Sequence, residues 1–321
     1  MGTPLIEAEN LCKTYVLHKK AGFLRRERST LAAVADVTLA VTEGELVGYI
    51  GPNGAGKSTT IKMFTGILSP TSGHLRVAGL EPIRDRRTLA QRIGVVFGQR
   101  TTLWWDLPLR DSFELLHRMY KVPDARFREN LARYTELLEM GPFLDTPVRQ
   151  LSLGQRMRGD LTAALLHDPR ILYLDEPTIG LDVTSKAVVR EFLAELNRDR
   201  GTTIILTTHD LDDIERLCRR VVVVDHGTIA YDGGLAALRS RVAADRTLIV
   251  DLVAPAEPID VPGAVVTRVD GPRQWLAFPA DANAAQLISA IGADHELADV
   301  SVREPDIEDV IRALYAPVTS H

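Results

Sequence analysis

The residues from Gly51 to Thr59 have the types and the spacing needed to bind phosphate groups. The phosphate-loop pattern is matched by consecutive residues, which are Gly51, Pro52, Asn53, Gly54, Ala55, Gly56, Lys57 and Ser58. Glycines let successive backbone N–H groups turn toward one anion, and a helix that starts near Thr59 directs its positive end to the same place. Lys57 is expected to reach the terminal phosphates, and Ser58 to offer its hydroxyl to Mg²⁺. The segment predicts a nucleotide site.

Two acidic residues, Asp175 and Glu176, directly follow the apolar run Ile171–Leu174. In open α/β sheets, ligands bind at the carboxyl ends of the strands, so both carboxylates are expected beside the phosphate loop. Asp175 is predicted to hold Mg²⁺. Glu176 is predicted to orient, or accept a proton from, the water that attacks the γ-phosphate. Together with the phosphate loop, these acids predict hydrolysis of the nucleotide.

The segments around these residues predict a parallel sheet that is covered on both faces. Leu46–Ile50 is an apolar strand that enters the phosphate loop, and similar runs recur later in the chain. Near-continuous apolar strands that alternate with helices are typical of such sheets. The predicted elements are several short strands within residues 4–50, strands at 171–174, 203–206 and 221–224, and helices at 59–68 and about 185–198.

A helical insert is predicted between about residues 100 and 166. From Leu109 onward the pattern is helical. The residues spaced to line one helix face are Phe127, Leu131, Tyr134 and Leu138.

The character of the sequence changes after Gly233 and Gly234. Alternating strands are predicted at 248–253, 264–269 and 274–278, followed by two short helices. The second of these helices has Ile307, Val310, Ile311 and Leu314 at helical spacing after Pro305. We therefore expect two domains, with residues 1–238 carrying the phosphate chemistry and residues 239–321 forming a small accessory α+β domain.

A further segment, Leu151-Ser152-Leu153-Gly154-Gln155, precedes Asp175 by about twenty residues. With it, the chain resembles the ABC ATPase family over roughly residues 4–235. The remaining family motifs follow in order, namely Tyr15 about forty residues before Lys57, Gln99 after Val95-Val96-Phe97, Gly180-Leu181-Asp182 after the acids, and His209 after a strand. The resemblance implies an α/β fold, in which a P-loop NTPase core of ABC type carries an antiparallel β subdomain and a helical subdomain.

The resemblance also implies that two cassettes dimerise head to tail around ATP. Ser152, Gly154 and Gln155 would then act on the γ-phosphate held by the other subunit's phosphate loop. The other implied roles are adenine stacking for Tyr15, sensing of Mg²⁺ and the attacking water for Gln99, ordering of the dimer interface for Asp182, and a γ-phosphate contact for His209. The alternatives are structural, with Tyr15 a sheet aromatic, Gln99 a loop amide, and Asp182 and His209 polar caps.

Leu153 stands where the family usually has glycine, so one backbone position loses conformational freedom. We expect Leu153 to be tolerated, because Ser152 and Gly154 supply the phosphate contacts that the resemblance implies.

Trp104 and Trp105 lie where family members receive the coupling helix of a membrane partner. Adjacent tryptophans are suited to anchor an interface, which favours the hypothesis that one of them faces a membrane subunit. The alternative is that one or both fill the core of the helical insert.

The composition excludes several other classes of protein. The chain has 321 residues, 45% of them hydrophobic, and a net charge of -5, so it lacks the broad basic field of a protein whose main ligand is nucleic acid. No apolar run approaches the 18 or so residues of a membrane helix, and no secretory signal is recognised. Cys12 and Cys218 are isolated and are expected to be small buried residues of a protein in the cytosol.

These observations predict the ATPase subunit of an ABC transporter, at the cytoplasmic face of the membrane. ATP-driven closure and opening of two cassettes would move separately encoded permease subunits. The second cassette would be a copy of this chain or a paralogue. The segments 99–108 and 154–158 and the tail resemble the ATPases of type-2 exporters. The alternative is a soluble ABC-type ATPase outside transport, for example one that assembles metal clusters.

Overall fold

The computed structural model describes residues 4–20, 26–98, 100–208, 210–241, 245–279 and 282–303. The chain divides into two compact units, one ending at Gly233 and the other starting at Gly234. Among the described residues, the helices include none that is long and apolar enough to cross a membrane.

The described part of the first unit is built on a nine-stranded sheet. Its strands are β1 (Pro4–Lys20), β2 (Arg26–Thr42), β3 (Leu46–Ile50), β4 (Ser72–Val77), β5 (Ile93–Phe97), β6 (Ile171–Asp175), β7 (Thr203–Thr207), β8 (Arg220–Asp225) and β9 (Thr228–Gly234). The strand order is β4-β1-β2-β9-β8-β3-β7-β6-β5. β1 pairs antiparallel with β2 and β4, whereas β8, β3, β7, β6 and β5 run parallel. The parallel strands therefore bring their carboxyl ends to one edge.

The first two strands are longer than the sequence predicts. In place of several short strands, β1 and β2 each have 17 residues and form one long antiparallel ribbon. The register of β1 shifts between Ala8 and Leu11, and again between Leu11 and Lys13. Each β-bulge interrupts the alternation of inward and outward side chains, so one strand has the sequence pattern of several.

Helices cover the sheet and form the insert. They are α1 (Lys57–Phe64), α2 (Arg86–Ala90), α3 (Leu109–Tyr120), α4 (Asp124–Leu137), α5 (Leu153–Leu165), α6 (Val183–Arg200) and α7 (Leu211–Leu217), with 3-10 turns at Gly141–Phe143 and Val148–Gln150. α1 starts two residues before the predicted helix, directly after Gly56, and it ends before Gly66, whose φ of 70° stops a helix. In the insert, Phe127, Tyr134 and Leu138 are buried as predicted, while Leu131 is half-buried.

The core of the first unit lies on both faces of the central strands. Every residue of β3 and of β7 is buried, which confirms the prediction of a sheet covered on both sides. Apolar side chains from the parallel strands and the β1–β2 ribbon join one cluster that includes Val47, Phe64, Tyr173 and Val222. Complete burial of such a side chain contributes about 1.5–3 kcal/mol. The residues that end these strands are consequently held firmly in place.

The second unit contains α8 (Leu235–Arg241), β10 (Arg246–Leu252), β11 (Val265–Asp270), β12 (Arg273–Phe278), α9 (Ala284–Asp294) and β13 (Leu297–Arg303). Its antiparallel sheet has the order β11-β12-β10-β13, and Leu287 and Ile291 of α9 pack into its core. The sequence did not predict β13, most of whose residues are exposed. The helix predicted from Ile307 to Leu314 lies outside the described residues.

Candidate functional site

The phosphate loop connects β3 to α1, and its glycines are required by close backbone contacts. Gly54 and Gly56 have φ values of 86° and 103°. A Cβ atom on Gly56 would lie 2.4 Å from the carbonyl oxygen of Ala33, and one on Gly51 would lie 2.2 Å from that of Val224. Neither distance is possible between real atoms, so only glycine allows this turn. The loop therefore passes directly against β2 and β8 before it enters α1.

Lys57, the first residue of α1, is buried inside this loop. It is 6% exposed, and its Nζ donates to the carbonyl oxygens of Gly51, at 2.6 Å, and Pro52, at 3.1 Å. Burial lowers the pKa of Lys57, while the charges of Glu176 and Asp175 act in the opposite direction. The fold thus holds a poorly solvated ammonium group at the start of a helix, where an anionic ligand would be favoured.

Ser58 and Asp175 meet next to Lys57. The Ser58 hydroxyl donates to Asp175 Oδ1 over 3.3 Å, and the Thr207 hydroxyl donates to the same oxygen over 2.6 Å. The predicted magnesium ligands Ser58 and Asp175 are thus brought together, although they are 117 residues apart in the chain. Hydroxyl and carboxylate oxygens are ligands that Mg²⁺ prefers, so these side chains fit that ion.

Glu176 turns away from the line of β6 immediately after Asp175. Its φ is 57°, a left-handed conformation that is costly for a glutamate. The conformation is held because the Glu176 N–H donates to the Thr207 carbonyl oxygen over 2.9 Å, and because the backbone of Gly98 lies against it. A Cβ on Gly98 would be 2.1 Å from the Glu176 carbonyl oxygen. Gln99, the next residue, lies outside the described residues, as does His209.

The two neighbours of His209 are fixed by a charged network between α6 and α7. Asp213 is fully buried and accepts from Arg190 and from the hydroxyls of Thr178 and Thr208, the last over 3.1 Å. Asp210 pairs with Lys186 and Arg190 and caps α7. This network is not predicted from the sequence. The sequence does contain a signal for it. The acids Asp210 and Asp213 are three residues apart and the bases Lys186 and Arg190 are four apart, and residues at these spacings share one helix face.

A second group forms at the N-terminus of α5. Ser152 caps this helix, since its Oγ accepts from the Gln155 N–H over 3.2 Å and the Gln155 side chain accepts from the Ser152 N–H over 2.9 Å. Gly154 packs against Ser185, whose hydroxyl donates to Asp182 over 2.7 Å. The structure thus connects Ser152, Gly154 and Gln155 to Asp182, through Ser185.

Leu153 is the first residue of α5 and is not among the residues with positive φ. Glycine is therefore not required at this position by the backbone, and leucine fits the helix without strain.

Tyr15 lies on the long ribbon, half-buried, opposite Leu31 of β2. The Lys13 ammonium lies 5.5 Å from the centre of its ring. Leu31 is two residues from Ala33, whose carbonyl oxygen lies against Gly56. The ribbon therefore carries Tyr15 toward the phosphate loop.

Trp104 and Trp105 lie at the surface of the insert, so neither fills its core. They are 36% and 50% exposed. The Arg156 guanidinium lies 5.6 Å from the centre of the Trp105 ring. Leu115 and Met119, one turn apart on α3, are also exposed.

A glycine loop between a buried parallel strand and a helix, with a carboxylate at the end of another strand of the same sheet, defines a P-loop nucleoside triphosphatase. Residues 34–179 match the family model described as ABC transporter. The chain belongs to the ATP-binding proteins of ABC transporters, as its relatives show.

Two curated relatives and one solved structure illustrate this membership. The chain is 34% identical to the daunorubicin resistance ATP-binding protein DrrA3 of Streptomyces coeruleorubidus, over 87% of this chain and 89% of the relative. It is 39% identical to the Nod factor export ATP-binding protein I of Paraburkholderia xenovorans (strain LB400), over 62% and 64%. A dimeric ATP-binding cassette in a post-hydrolysis state, bound to ADP and Pi, has 27% identity and a TM-score of 0.61, over 72% of this chain and 98% of its own.

These findings confirm the predicted family and fold class and the prediction of an ATP-binding, ATP-hydrolysing subunit of an ABC transporter. Proteins of this kind dimerise and work with membrane subunits. The alternative of an ATPase outside transport has no support. The roles of single residues remain predictions.

Proposed function

We propose that two cassettes of this kind hydrolyse MgATP at composite sites between them, and that this drives export through separately encoded transmembrane permease subunits. The convergence of Lys57, Ser58 and Asp175 at one edge of the sheet carries the proposal. A cation, a hydroxyl and a carboxylate from two separate parts of the chain meet there, beside a loop that only glycine allows.

Within one subunit, the residues from Gly51 to Thr59 hold the phosphates, and Tyr15 stacks on adenine. Lys57 exchanges its carbonyl partners for phosphate oxygens. Ser58, Gln99 and Asp175 would hold Mg²⁺, which would neutralise charge on the phosphates when bound. The ligand pair Ser58–Asp175 is already in contact through the 3.3 Å hydrogen bond.

Glu176 is the proposed general base for the attacking water, with His209 on the γ-phosphate. The left-handed backbone of Glu176 ends β6 at Asp175, so Glu176 does not continue the strand. Thr207 and Gly98 hold this conformation from β7 and from the segment before Gln99. A positioned base contributes about 10²–10⁴-fold to the rate of such a step.

Ser152, Gly154 and Gln155 are proposed to complete the site of the partner cassette, with Asp182 at the dimer interface. In the capping box, Ser152 Oγ accepts a hydrogen bond from the Gln155 N–H. The same hydroxyl has one proton of its own, which it can donate to a phosphate oxygen. The N-terminus of a 13-residue helix adds its positive dipole at that point.

The test is Glu176→Gln, measured as ATP affinity, turnover and oligomeric state of the purified chain. We expect ATP binding within about threefold of wild type, turnover lower by at least about 100-fold, and an ATP-dependent dimer in size-exclusion chromatography. Glutamine has nearly the same shape but cannot accept the proton. Undiminished turnover in this variant would falsify the assignment of Glu176.

We propose that Trp104 and Trp105 contact the permease subunit. Two exposed indole rings offer apolar surface suited to an interface, and Leu115 and Met119 of α3 are exposed as well. Trp104→Ala and Trp105→Ala should weaken co-purification with the permease by at least about tenfold, and Trp104→Ala should leave the turnover of the isolated chain unchanged. If both variants co-purify normally, this part of the proposal fails.

Export is proposed because relatives over much of the chain are named for Nod factor export and daunorubicin resistance. The permease would hold the chain peripherally at the cytoplasmic face of the membrane. Residues 1–238 would form the cassette, with its helical insert at about 100–166, and residues 239–321 an accessory domain. A co-purification experiment from detergent-solubilised cells tests the arrangement, since one or two polytopic membrane proteins should be recovered in stoichiometric amount.

A further inference from the structure

Asp160 is a buried acid on α5 whose hydrogen-bond partners, in the part of the chain that the structure describes, lie in one short segment after Gln99. Its side chain is inside the fold, with 6% exposure for the residue. Oδ1 accepts from the Thr101 hydroxyl over 2.9 Å, from the Thr102 N–H over 3.0 Å, and from the Thr102 hydroxyl over 3.3 Å. The donors are 58 and 59 residues away in the chain. One carboxylate oxygen therefore fixes the backbone of Thr101–Thr102 against the helix.

The hydrogen bonds of Asp160 continue along the segment. The Thr101 hydroxyl also accepts from the Leu103 N–H over 3.1 Å, and the Trp104 N–H donates to Ser112 of α3 over 3.3 Å. Leu103 is buried, and the neighbouring position on α5 is Gly159, where a Cβ would lie 3.0 Å from a Leu103 methyl group. Residues 101–104 are consequently packed and hydrogen-bonded to the insert.

Burying a carboxylate at this position costs free energy of folding. Burial raises the pKa of Asp160 to about 6, although the hydrogen bonds from Thr101 and Thr102 and the charge of Arg156 oppose that effect. An apolar residue would pack between helices at no such cost. The observed geometry suits a group that must hold a particular backbone segment in one place.

The same helix presents Ser152 at its first turn. Arg156, one turn after Ser152, lies against the Trp105 ring, and Asp160, one further turn along, holds Thr101 and Thr102. A helix is stiff over this length, so its N-terminus and the segment 101–105 are constrained to move together.

We propose that Asp160 is a positioning residue that makes the segment after Gln99 move as one body with the N-terminus of α5. This rests on the proposed function, in which Gln99 acts on the nucleotide of its own subunit and Ser152 on that of the partner. Through Asp160, the position of Thr101 and Thr102 depends on the position of the N-terminus of α5. ATP is then hydrolysed efficiently only when this helix end and the segment after Gln99 are seated together.

The test compares Asp160→Ala, Asp160→Asn and Thr101→Val in the full chain, measured as kcat and KM for MgATP. We expect Asp160→Ala to lower kcat by at least about tenfold and to leave KM within about twofold, because the phosphate loop and Tyr15 are not touched. Asparagine keeps the accepting oxygen, so Asp160→Asn should retain kcat within about threefold. The kcat of Thr101→Val should lie between those of wild type and Asp160→Ala. The double variant of Thr101→Val and Asp160→Ala should have a kcat no lower than that of Asp160→Ala alone.

Asn130→Ala is the matched control. Asn130 is fully buried in α4, and its Nδ2 donates over 3.1 Å to Leu166, at the opposite end of α5 from Ser152. This variant should destabilise the insert yet keep kcat, when both variants are assayed at a temperature where circular dichroism shows them folded. An equal loss of kcat in Asn130→Ala and Asp160→Ala would reduce Asp160 to a stability role and overturn the proposal.

Two further outcomes count against the proposal. Normal kcat in Asp160→Ala overturns it directly, and a loss in Asp160→Asn equal to that in Asp160→Ala overturns the hydrogen-bond mechanism. The Glu176→Gln variant distinguishes a failure of this proposal from a failure of the proposed function. If Glu176→Gln lacks turnover but Asp160→Ala is normal, only the role of Asp160 is wrong; if Glu176→Gln hydrolyses ATP normally, the catalytic assignment itself is wrong.

Discussion

Each end of strand β6 has an acidic residue in a left-handed backbone conformation. The carboxylates at the two ends have different kinds of partner. Asp168, before the strand, has a φ of 53°, and Glu176, after it, has a φ of 57°. The Asp168 carboxylate pairs with the guanidinium groups of Arg126, at 2.6 Å, and Arg200, at 2.7 Å. At the other end, Asp175 is held by the neutral hydroxyls of Ser58 and Thr207.

This difference extends along the sheet. We call the ends of β3, β6 and β7 the carboxyl edge, and the starts of β3, β6 and β8 the amino edge. At the amino edge, Arg170 pairs with Glu43, and Arg220 pairs with Asp232 and Glu45. At the carboxyl edge, Lys57 is desolvated and hydrogen-bonded to carbonyl groups. Charges at the amino edge pair with one another, whereas Lys57 and Asp175 at the carboxyl edge are arranged for a ligand.

The largest expected effect is that of Lys57→Met at the carboxyl edge. Turnover should fall by at least about 100-fold, because the phosphates lose a charge aimed at them in a water-poor site. The free energy of unfolding without nucleotide should change by less than about 1 kcal/mol, because folding already disfavours the charged ammonium group. Urea unfolding and a phosphate-release assay measure the two quantities. A large loss of stability would show that this edge, too, is built for folding.

Arg220→Met at the amino edge should show the reverse pattern. Arg220 Nε and Nη2 bond both carboxylate oxygens of Asp232, at 2.7 and 2.8 Å, and Nη1 bonds Glu45 at 2.7 Å. Removing these charge-assisted bonds should cost about 2 kcal/mol in urea unfolding. The kcat of the folded protein should stay within about twofold, since nothing at the carboxyl edge changes. A tenfold fall in kcat at full stability would contradict the division between the edges.

The smallest expected effect is that of Arg170→Met. This residue also bonds an acid twice, through Nε at 3.1 Å and Nη2 at 2.9 Å, but both partners are largely exposed to water. Exposed ion pairs contribute about 0–1 kcal/mol, so the change in unfolding free energy should be under about 0.5 kcal/mol and should shrink in 0.5 M salt. An equal loss of unfolding free energy in Arg170→Met and Arg220→Met would mean that burial does not determine how much an ion pair stabilises the fold.

The sequence predicts best what depends on neighbouring residues. The phosphate loop and its flanking strand and helix follow from glycine spacing and from one apolar run, and the buried strands β6, β7 and β8 follow from similar runs. The two long strands were divided wrongly, because bulges break the alternation on which the prediction depends. β13 is not predicted although four of its seven residues are apolar, because they alternate with polar residues only around Val300 and Val302.

Contacts between distant residues could not be predicted in the same way. Asp160 and Thr101 are 59 residues apart, and Thr178 and Asp213 are 35 apart. The position of a buried acid in the sequence does not predict which loop will donate hydrogen bonds to it, because the packing of whole helices determines the partner. A meeting of Asp175 and Ser58 could be predicted only because the phosphate loop and Asp175 each lie at the end of a strand of one sheet.

The place of β3 in the sheet has a consequence for how the protein is made. β3 lies between β7 and β8, and its Leu46 pairs with Ile204. At a synthesis rate of about 5–20 residues per second, the ribosome makes β3 some 8–30 s before its neighbour β7. During that interval a strand that is fully buried in the folded protein has no pairing partner. Nucleotide binding can arise only late in synthesis, since the loop that follows β3 rests against β8.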